Sequence, residues 1–188
     1  MNEKLSMDQL GRMTPEQFKE AQKIPIVLVL ENIRSGLNVG SLFRSADAFR
    51  VKGIFCIGYT PVPPHREVLK SALGATETVE WEHREDATAL INELKSAGFT
   101  CCAIEQTSNS IDLASFKHDP NTPLALVLGN EVDGVSQSVI DACHHTLEIA
   151  QHGTKHSLNV AVCGGIVLYA LCGISDSGFL ISKLEIRN

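Results

Sequence analysis

The sequence lacks most of the short signatures that announce a bound group. It holds neither a G-x-x-x-x-G-K-[ST] phosphate loop nor a G-x-G-x-x-G dinucleotide fingerprint, so two common ways of cradling a nucleotide are absent. No serine sits in a G-x-S-x-G elbow, which disfavours a hydrolase triad of that type. The oxygen-ligand spacing of an EF-hand is missing too. Of the cysteines Cys56, Cys101, Cys102, Cys143, Cys163 and Cys172, no two form a C-x-x-C pair, so neither a zinc knuckle nor a thioredoxin-like redox site is indicated. All lie in or beside apolar segments, where a thiol behaves as a small hydrophobe, and reduced thiols predict a cytoplasmic protein. No basic start, apolar centre and small-residue cleavage site combine into a signal peptide. The longest apolar run, residues 158–174, contains Asn159 and several glycines and is short for a bilayer, so a buried core helix is expected and no membrane partner. Repeats and low-complexity segments are also missing.

What is present suits one well-buried domain: 188 residues, 44% of them hydrophobic and 20% charged. The formal net charge of -6 argues mildly against nucleic acid, but its distribution matters more than its sum. Residues 32–70 carry six bases (Arg34, Arg44, Arg50, Lys52, Arg66, Lys70) against Asp47 and Glu67, leaving that segment at +4 and the remainder at -10. Such a segment is either an ordinary solvated surface or one basic face able to hold a phosphate backbone.

Apolar runs of strand length alternate with helical stretches. Residues 24–30 (IPIVLVL) form a near-continuous run of the kind a fully buried parallel strand needs. Further strands are expected at residues 51–58, 99–105, 123–128 and 146–150, with a minor one at 78–81. Helices are expected at residues 39–49, 86–97, 137–142 and 158–171. The alternation predicts an α/β fold, a mostly parallel sheet flanked by helices, over residues 24–188. Residues 1–23 read as a short helical extension packed on that domain, with capping-box patterns at Ser6–Gln9 and Thr14–Gln17 and Pro15 at a favoured first helical position.

Ligands of parallel sheets bind outside the carboxyl ends of strands, so the loops that follow strands carry the chemistry. After the first strand, Gly36 and Gly40 permit tight turning and close approach, Asn38 lies near a helix start, and Arg44 follows it by six residues. After the fourth, Gly129-Asn-Glu-Val-Asp-Gly134 offers Glu131 to a metal, a hydroxyl, an amine or an arginine, or is a turn capped by Asp133 or Ser136. After the fifth, His152 and His156 have the spacing of a helical zinc pair, but Gly153 lies between them and no third ligand is evident, so no metal is expected. Ser157 and Asn159 are either caps of the next helix or site groups facing the other two loops.

Taken together these segments resemble the SpoU/TrmH family of RNA ribose methyltransferases, of the SPOUT superfamily. The first family motif is matched by residues 32–49, including Asn38, Gly40, Arg44 and Ala46-Asp47-Ala48. The second is matched by Leu128-Gly129-Asn130-Glu131 and Gly134, and the third by Ile149, Gly153 and Ser157-Leu158-Asn159-Val160, leading into Tyr169. The similarity extends over residues 24–171, with Ala150 where the family usually has proline. The resemblance implies a C-terminal deep trefoil knot, which ordinary connection rules never predict. It implies S-adenosylmethionine held mostly by backbone groups at Ile104, Gly129, Ile149 and Leu158, with Glu105 nearby, and a homodimer with the site near the subunit interface. It assigns Arg44 to drawing the proton from a ribose 2′-hydroxyl or stabilising the alkoxide, with Asn38, Glu131, Ser157 and Asn159 positioning the reacting groups. No metal is needed, because the cofactor's own positive charge drives transfer.

The expected function is therefore 2′-O-methylation of tRNA or rRNA, with tRNA the first expectation. With only residues 1–23 ahead of the core, RNA capture would rest on the core dimer, through Arg34, Arg66, Lys70 and Lys155 on phosphates. Two other classes remain: a non-catalytic RNA-binding or assembly protein that kept the fold, and a small-molecule α/β enzyme using a nucleotide. The intact Asn38, Arg44, Glu131 and Asn159 argue against the first.

Overall fold

The apolar run at residues 24–30 becomes a central strand because both of its faces can be covered. The computed structural model of the chain describes residues 2–6, 8–119 and 121–173. Residues 174–188 of the expected domain lie outside the described residues, as does Met7 within the expected cap at Ser6–Gln9. The elements run α1 (Pro15–Glu20), β1 (Ile24–Glu31), α2 (Gly36–Ala48), β2 (Val51–Ile57), α3 (Arg66–Ala72), β3 (Trp81–Arg84), α4 (Ala87–Ser96) and β4 (Thr100–Ile104). They continue with β5 (Ile111–Asp112), β6 (Leu124–Leu128), α5 (Gln137–Ala142), β7 (His145–Glu148) and α6 (Val160–Gly173).

The strands form one sheet in the order β3-β2-β1-β6-β4-β7-β5, and every neighbouring pair is parallel. Side chains alternate across the sheet, so β1 feeds two cores. Ile26, Leu28 and Leu30 pack with Val39, Leu42 and Phe43 of α2 and with Val167 and Leu168 of α6. Val27 and Val29 pack with Leu90, Ile91 and Leu94 of α4 and with Val139 of α5. The result is a sheet between two helical layers. Progress from β1 to β2 and β3 runs one way along the sheet, whereas β4, β7 and β5 lie the other way, beyond β6. This reversal leaves a crevice at the carboxyl ends of β1, β6, β4 and β7.

Several expected boundaries move, each for a local reason. Helix α2 begins at Gly36, three residues before the expected start, because Ser35 caps it by accepting the Asn38 N–H at 3.3 Å. The minor strand expected at residues 78–81 instead occupies Trp81–Arg84, since residues 75–77 close a 3-10 turn first. Helix α3 and the two-residue β5 were not expected at all. In α1 the Thr14–Gln17 capping box forms in both directions, at 3.2 and 2.9 Å, and Phe18 reaches the main core.

The glycines of the first loop also have a different use from the one expected. A Cβ on Gly40 would lie 2.2 Å from Val68 O and from Ser71 Oγ, so this position lets α2 and α3 touch and is not an approach to a ligand. On α6, a Cβ on Gly164 would meet Leu42 Cδ2 at 2.4 Å, which brings α6 down onto α2. No helix among the described residues is long and apolar enough to cross a membrane.

Candidate active site

The loop leaving β1 is fixed before it reaches any reactive group. Thr60, buried after β2, donates to Leu30 O at 2.9 Å and accepts the Ile33 N–H at 3.0 Å. Asn32 takes a left-handed conformation at φ 53°. Its carbonyl accepts from Asn130 Nδ2 at 2.9 Å, which ties the first loop to the one after β6. Asn130 is itself buried, and its Oδ1 accepts the Val132 and Asp133 N–H groups at 2.7 and 3.2 Å, so both ends of its amide are used.

Next to it, the Glu131 carboxylate gathers the start of α2. It accepts the Arg34 N–H at 2.8 Å, the Ser35 N–H at 3.1 Å and Asn38 Nδ2 at 2.8 Å. Burial pushes this carboxyl up, but hydrogen bonds from Arg34, Asn38, its own N–H and Ser35 outweigh burial and hold it below the ordinary carboxylate value. The other end of the Asn38 amide accepts from Asn159 Nδ2 at 3.1 Å. Asn159 in turn caps α6, accepting the Ala161 and Val162 N–H groups at 2.9 and 3.2 Å. One chain of hydrogen bonds, Glu131 to Asn38 to Asn159, therefore joins the three loops, and it does so with an ionised group at one end and a helix start at the other.

Beside this chain lies a cleft of about 1080 Å³ at the carboxyl ends of β4, β6 and β7. Its walls include Ile104, Glu105, Gly129, Ile149 and Leu158, together with Glu131, Ser157 and Asn159. Two carboxylates shape the wall formed by residues 129–136. Glu105 accepts the Val135 N–H at 3.1 Å, and the 5% exposed Glu31 accepts both N–H and Oγ–H of Ser136 at 3.0 and 2.6 Å. Gly129 is obligatory here, because a Cβ would sit 2.1 Å from Gly134 C and 2.2 Å from Val135 N, inside the backbone of its own loop. Among the described residues, the backbone N–H and C=O groups of Gly129, Ile149 and Leu158 have no hydrogen-bond partner within the chain. A cleft walled by such groups can hold a polar nucleoside through main-chain bonds.

All five expected cofactor positions thus line one cleft, with three of the expected catalytic residues. Asn38 joins them through its two hydrogen bonds. Arg44 stands apart, two turns along α2, exposed and outside the cleft wall, its side chain making no hydrogen bond or ion pair among the described residues. Arg34 contributes its main chain to Glu131 and leaves its side chain exposed. Arg66 and Lys70 lie four residues apart on exposed α3, and Lys155 is exposed on the loop before α6. Among the described residues no cluster of His, Cys, Asp or Glu could hold a metal ion.

The sequence does not single out Glu31, Thr60 or Tyr59, whose hydroxyl accepts at 2.5 Å from Nδ2 of Asn130, a residue of the second motif to which no role was assigned. Glu31 did leave a signal: a lone carboxylate ending a buried apolar strand must find donors. Thr60 and Tyr59 left none, because their partners are 27 to 71 residues away.

The SpoU rRNA Methylase family matches this chain across residues 25–169. A Staphylococcus aureus protein classed in the TrmH family of tRNA/rRNA methyltransferases is 32% identical over 154 residues, covering 82% of this chain and 61% of the relative. An rRNA methyltransferase from Sinorhizobium meliloti, solved with AdoMet bound, superposes with a TM-score of 0.73 at 25% identity, over 85% of this chain and 60% of its own. A TrmH/SpoU tRNA modifying enzyme from A. aeolicus gives a TM-score of 0.75 at 24% identity, over 86% of this chain and 80% of its own. The chain spans about 61% of the length of the curated relatives it matches.

Proposed function

Because the chain belongs to the SpoU rRNA Methylase family, we propose that it is an S-adenosylmethionine-dependent RNA methyltransferase acting on a ribose 2′-hydroxyl of tRNA, with rRNA the alternative substrate. The observation that carries this reading is the hydrogen-bonded chain Glu131–Asn38–Asn159 set against the cleft. When bound, S-adenosylmethionine supplies a methyl group on a positively charged sulfur. The cleft fits such a group, since its volume of about 1080 Å³ suffices for a small molecule and three of its walls offer unpaired main-chain groups.

The chain's own residues have separate tasks. Ile104, Glu105, Gly129, Ile149 and Leu158 form the cofactor side. Glu131 is saturated by donors and kept ionised, so its task is to hold the start of α2, not to take a proton. Asn38, Ser157 and Asn159 orient the ribose for in-line transfer. Arg44, exposed to solvent, is assigned to the oxygen that becomes negative as the 2′ proton passes to solvent water. A guanidinium stays protonated at any working pH, so it stabilises that charge readily, and an RNA phosphate beside it would orient it. Arg34, Arg66, Lys70 and Lys155 are assigned to phosphates.

Three wider features belong to the same proposal. The unusual insertion of β6 between β1 and β4 supports a C-terminal trefoil knot. An exposed apolar stripe along α6, with Val162 54%, Ile166 39% and Tyr169 74% exposed, supports a homodimer that covers it. The buried, unpaired thiols of Cys56, Cys101 and Cys102 support a cytoplasmic location. Calorimetric titration of S-adenosylhomocysteine against NAD and ATP tests the reading. Binding of the first alone is expected, and its failure to bind would remove the proposal.

A further inference from the structure

Three large aromatic side chains are exposed among the described residues: Tyr59 at 61%, Trp81 at 37% and Tyr169 at 74%. Trp81 opens β3, at the end of the sheet away from the cleft, and Tyr169 lies far along α6 with its ring edge-on to Phe49. Tyr59 alone stands at the carboxyl edge, directly after β2. It also inverts the usual arrangement. A tyrosine commonly buries its ring and leaves the hydroxyl wet. Here the hydroxyl accepts a 2.5 Å hydrogen bond from Asn130, itself only 8% exposed, while the ring faces solvent.

That ring is held at both ends. Its backbone N–H donates to Asn32 Oδ1 at 3.4 Å, Gly58 before it donates to Arg84 O at 2.9 Å, and Thr60 after it is buried with its hydroxyl doubly used. Asn130, which holds the phenol, immediately precedes Glu131, which holds Asn38. The exposed ring is thus fixed relative to the ribose side of the site, and the exposed Arg34 lies on the adjoining loop. A flat aromatic surface of low conformational freedom, with a basic residue on the adjoining loop, is what an unstacked base and its phosphate recognise.

We propose that Tyr59 is a stacking platform for an unpaired nucleobase of the RNA, placed beside the ribose site by its bond to Asn130. This rests on the methyltransferase reading of the same site. The test compares Tyr59→Phe with Tyr59→Leu in the full chain. Both lose the hydroxyl and its bond to Asn130, so they differ in the flat ring alone. Fluorescence anisotropy reads their affinity for a labelled single-stranded decaadenylate and for a chain of equal length carrying abasic riboses. Tyr59→Leu should bind decaadenylate roughly 5- to 100-fold more weakly than Tyr59→Phe, and the two should bind the abasic chain alike. Equal affinities for decaadenylate, an equal loss on the abasic chain, or no wild-type binding to decaadenylate would each overturn the platform. Calorimetry with S-adenosylhomocysteine keeps the two readings apart. If wild type binds it and the variants do not differ on decaadenylate, the platform falls and the methyltransferase reading stands. If wild type does not bind it, the methyltransferase reading falls and the platform's place in methyl transfer falls with it.

Discussion

Replacing Asn38 with aspartate changes one atom of the amide and turns one hydrogen-bond donor into a charged acceptor. The Asn38 Nδ2 that donates to Glu131 Oε1 at 2.8 Å becomes a carboxylate oxygen. Two unit charges at that 2.8 Å separation repel by ~1.5 kcal/mol if water screens them fully and by ~6 kcal/mol at an effective dielectric constant of about 20. Glu131 is largely exposed, so the smaller figure is the better guide. The upper titration of the new pair then rises, because each carboxylate disfavours the charged form of the other. The sign follows directly. In wild type the depressed Glu131 contributes stability that is present above its unfolded value and lost as pH falls through its folded value. In Asn38→Asp the raised titration of the pair makes the penalty full at pH 8 and relieves it as pH falls. Urea denaturation of both proteins from pH 8 to pH 4.5 should show a gap of about 1–3 kcal/mol that narrows on acidification. Methyl transfer by the variant at pH 8 should fall by about 100-fold, because the start of α2 is displaced. A variant as stable and active as wild type at pH 8 would refute the claim that Glu131 and Asn38 act as one ion-dipole unit.

Gly40→Ala should cost about 1–3 kcal/mol in urea denaturation, since the added Cβ meets the Val68 backbone and only separation of α2 from α3 relieves it. An unchanged denaturation midpoint would mean that the two helices do not touch there. Arg44→Ala should lower methyl transfer by at least about 100-fold while S-adenosylhomocysteine binds as before in calorimetry. Unchanged turnover would remove Arg44 from the mechanism. Burial pushes the Cys56 and Cys102 thiols up to about 12 and that of Cys101 up to about 11. Iodoacetamide at pH 8 should therefore leave all three unmodified in the native protein and label them only after denaturation, as read by mass spectrometry. Native-state labelling of Cys102 would contradict its burial.

Strong local patterns in the sequence survive folding almost unchanged. The run at residues 24–30 is β1 with one residue added, and the apolar period at 86–97 is α4 between its caps Asp86 and Ala97. What failed was set by partners distant in the chain. Strand β5 has only two residues and exists because Ile111 and Asp112 pair with Leu147 and Glu148 of β7. Strand order is likewise invisible locally, since nothing in Leu124–Leu128 tells it to enter between β1 and β4. The candidate site was legible where three short motifs kept their order. The clamps that hold them were not, because Glu31 meets Ser136 across 105 residues and Asn130 meets Asn32 across 98. Gly40 departs in the opposite sense: its place in the motif suggests a ligand-facing glycine, but the neighbour that excludes a side chain there is another helix.

Methyl transfer to an RNA ribose leaves a product that alkali distinguishes from a methylated base. The protein is incubated with methyl-labelled S-adenosylmethionine and total RNA, the RNA is hydrolysed with alkali, and the label is followed. A 2′-O-methyl group blocks cleavage at its own nucleotide, so label is expected in alkali-resistant dinucleotides. Label recovered in mononucleotides on the base, or no transfer to any RNA, would contradict it.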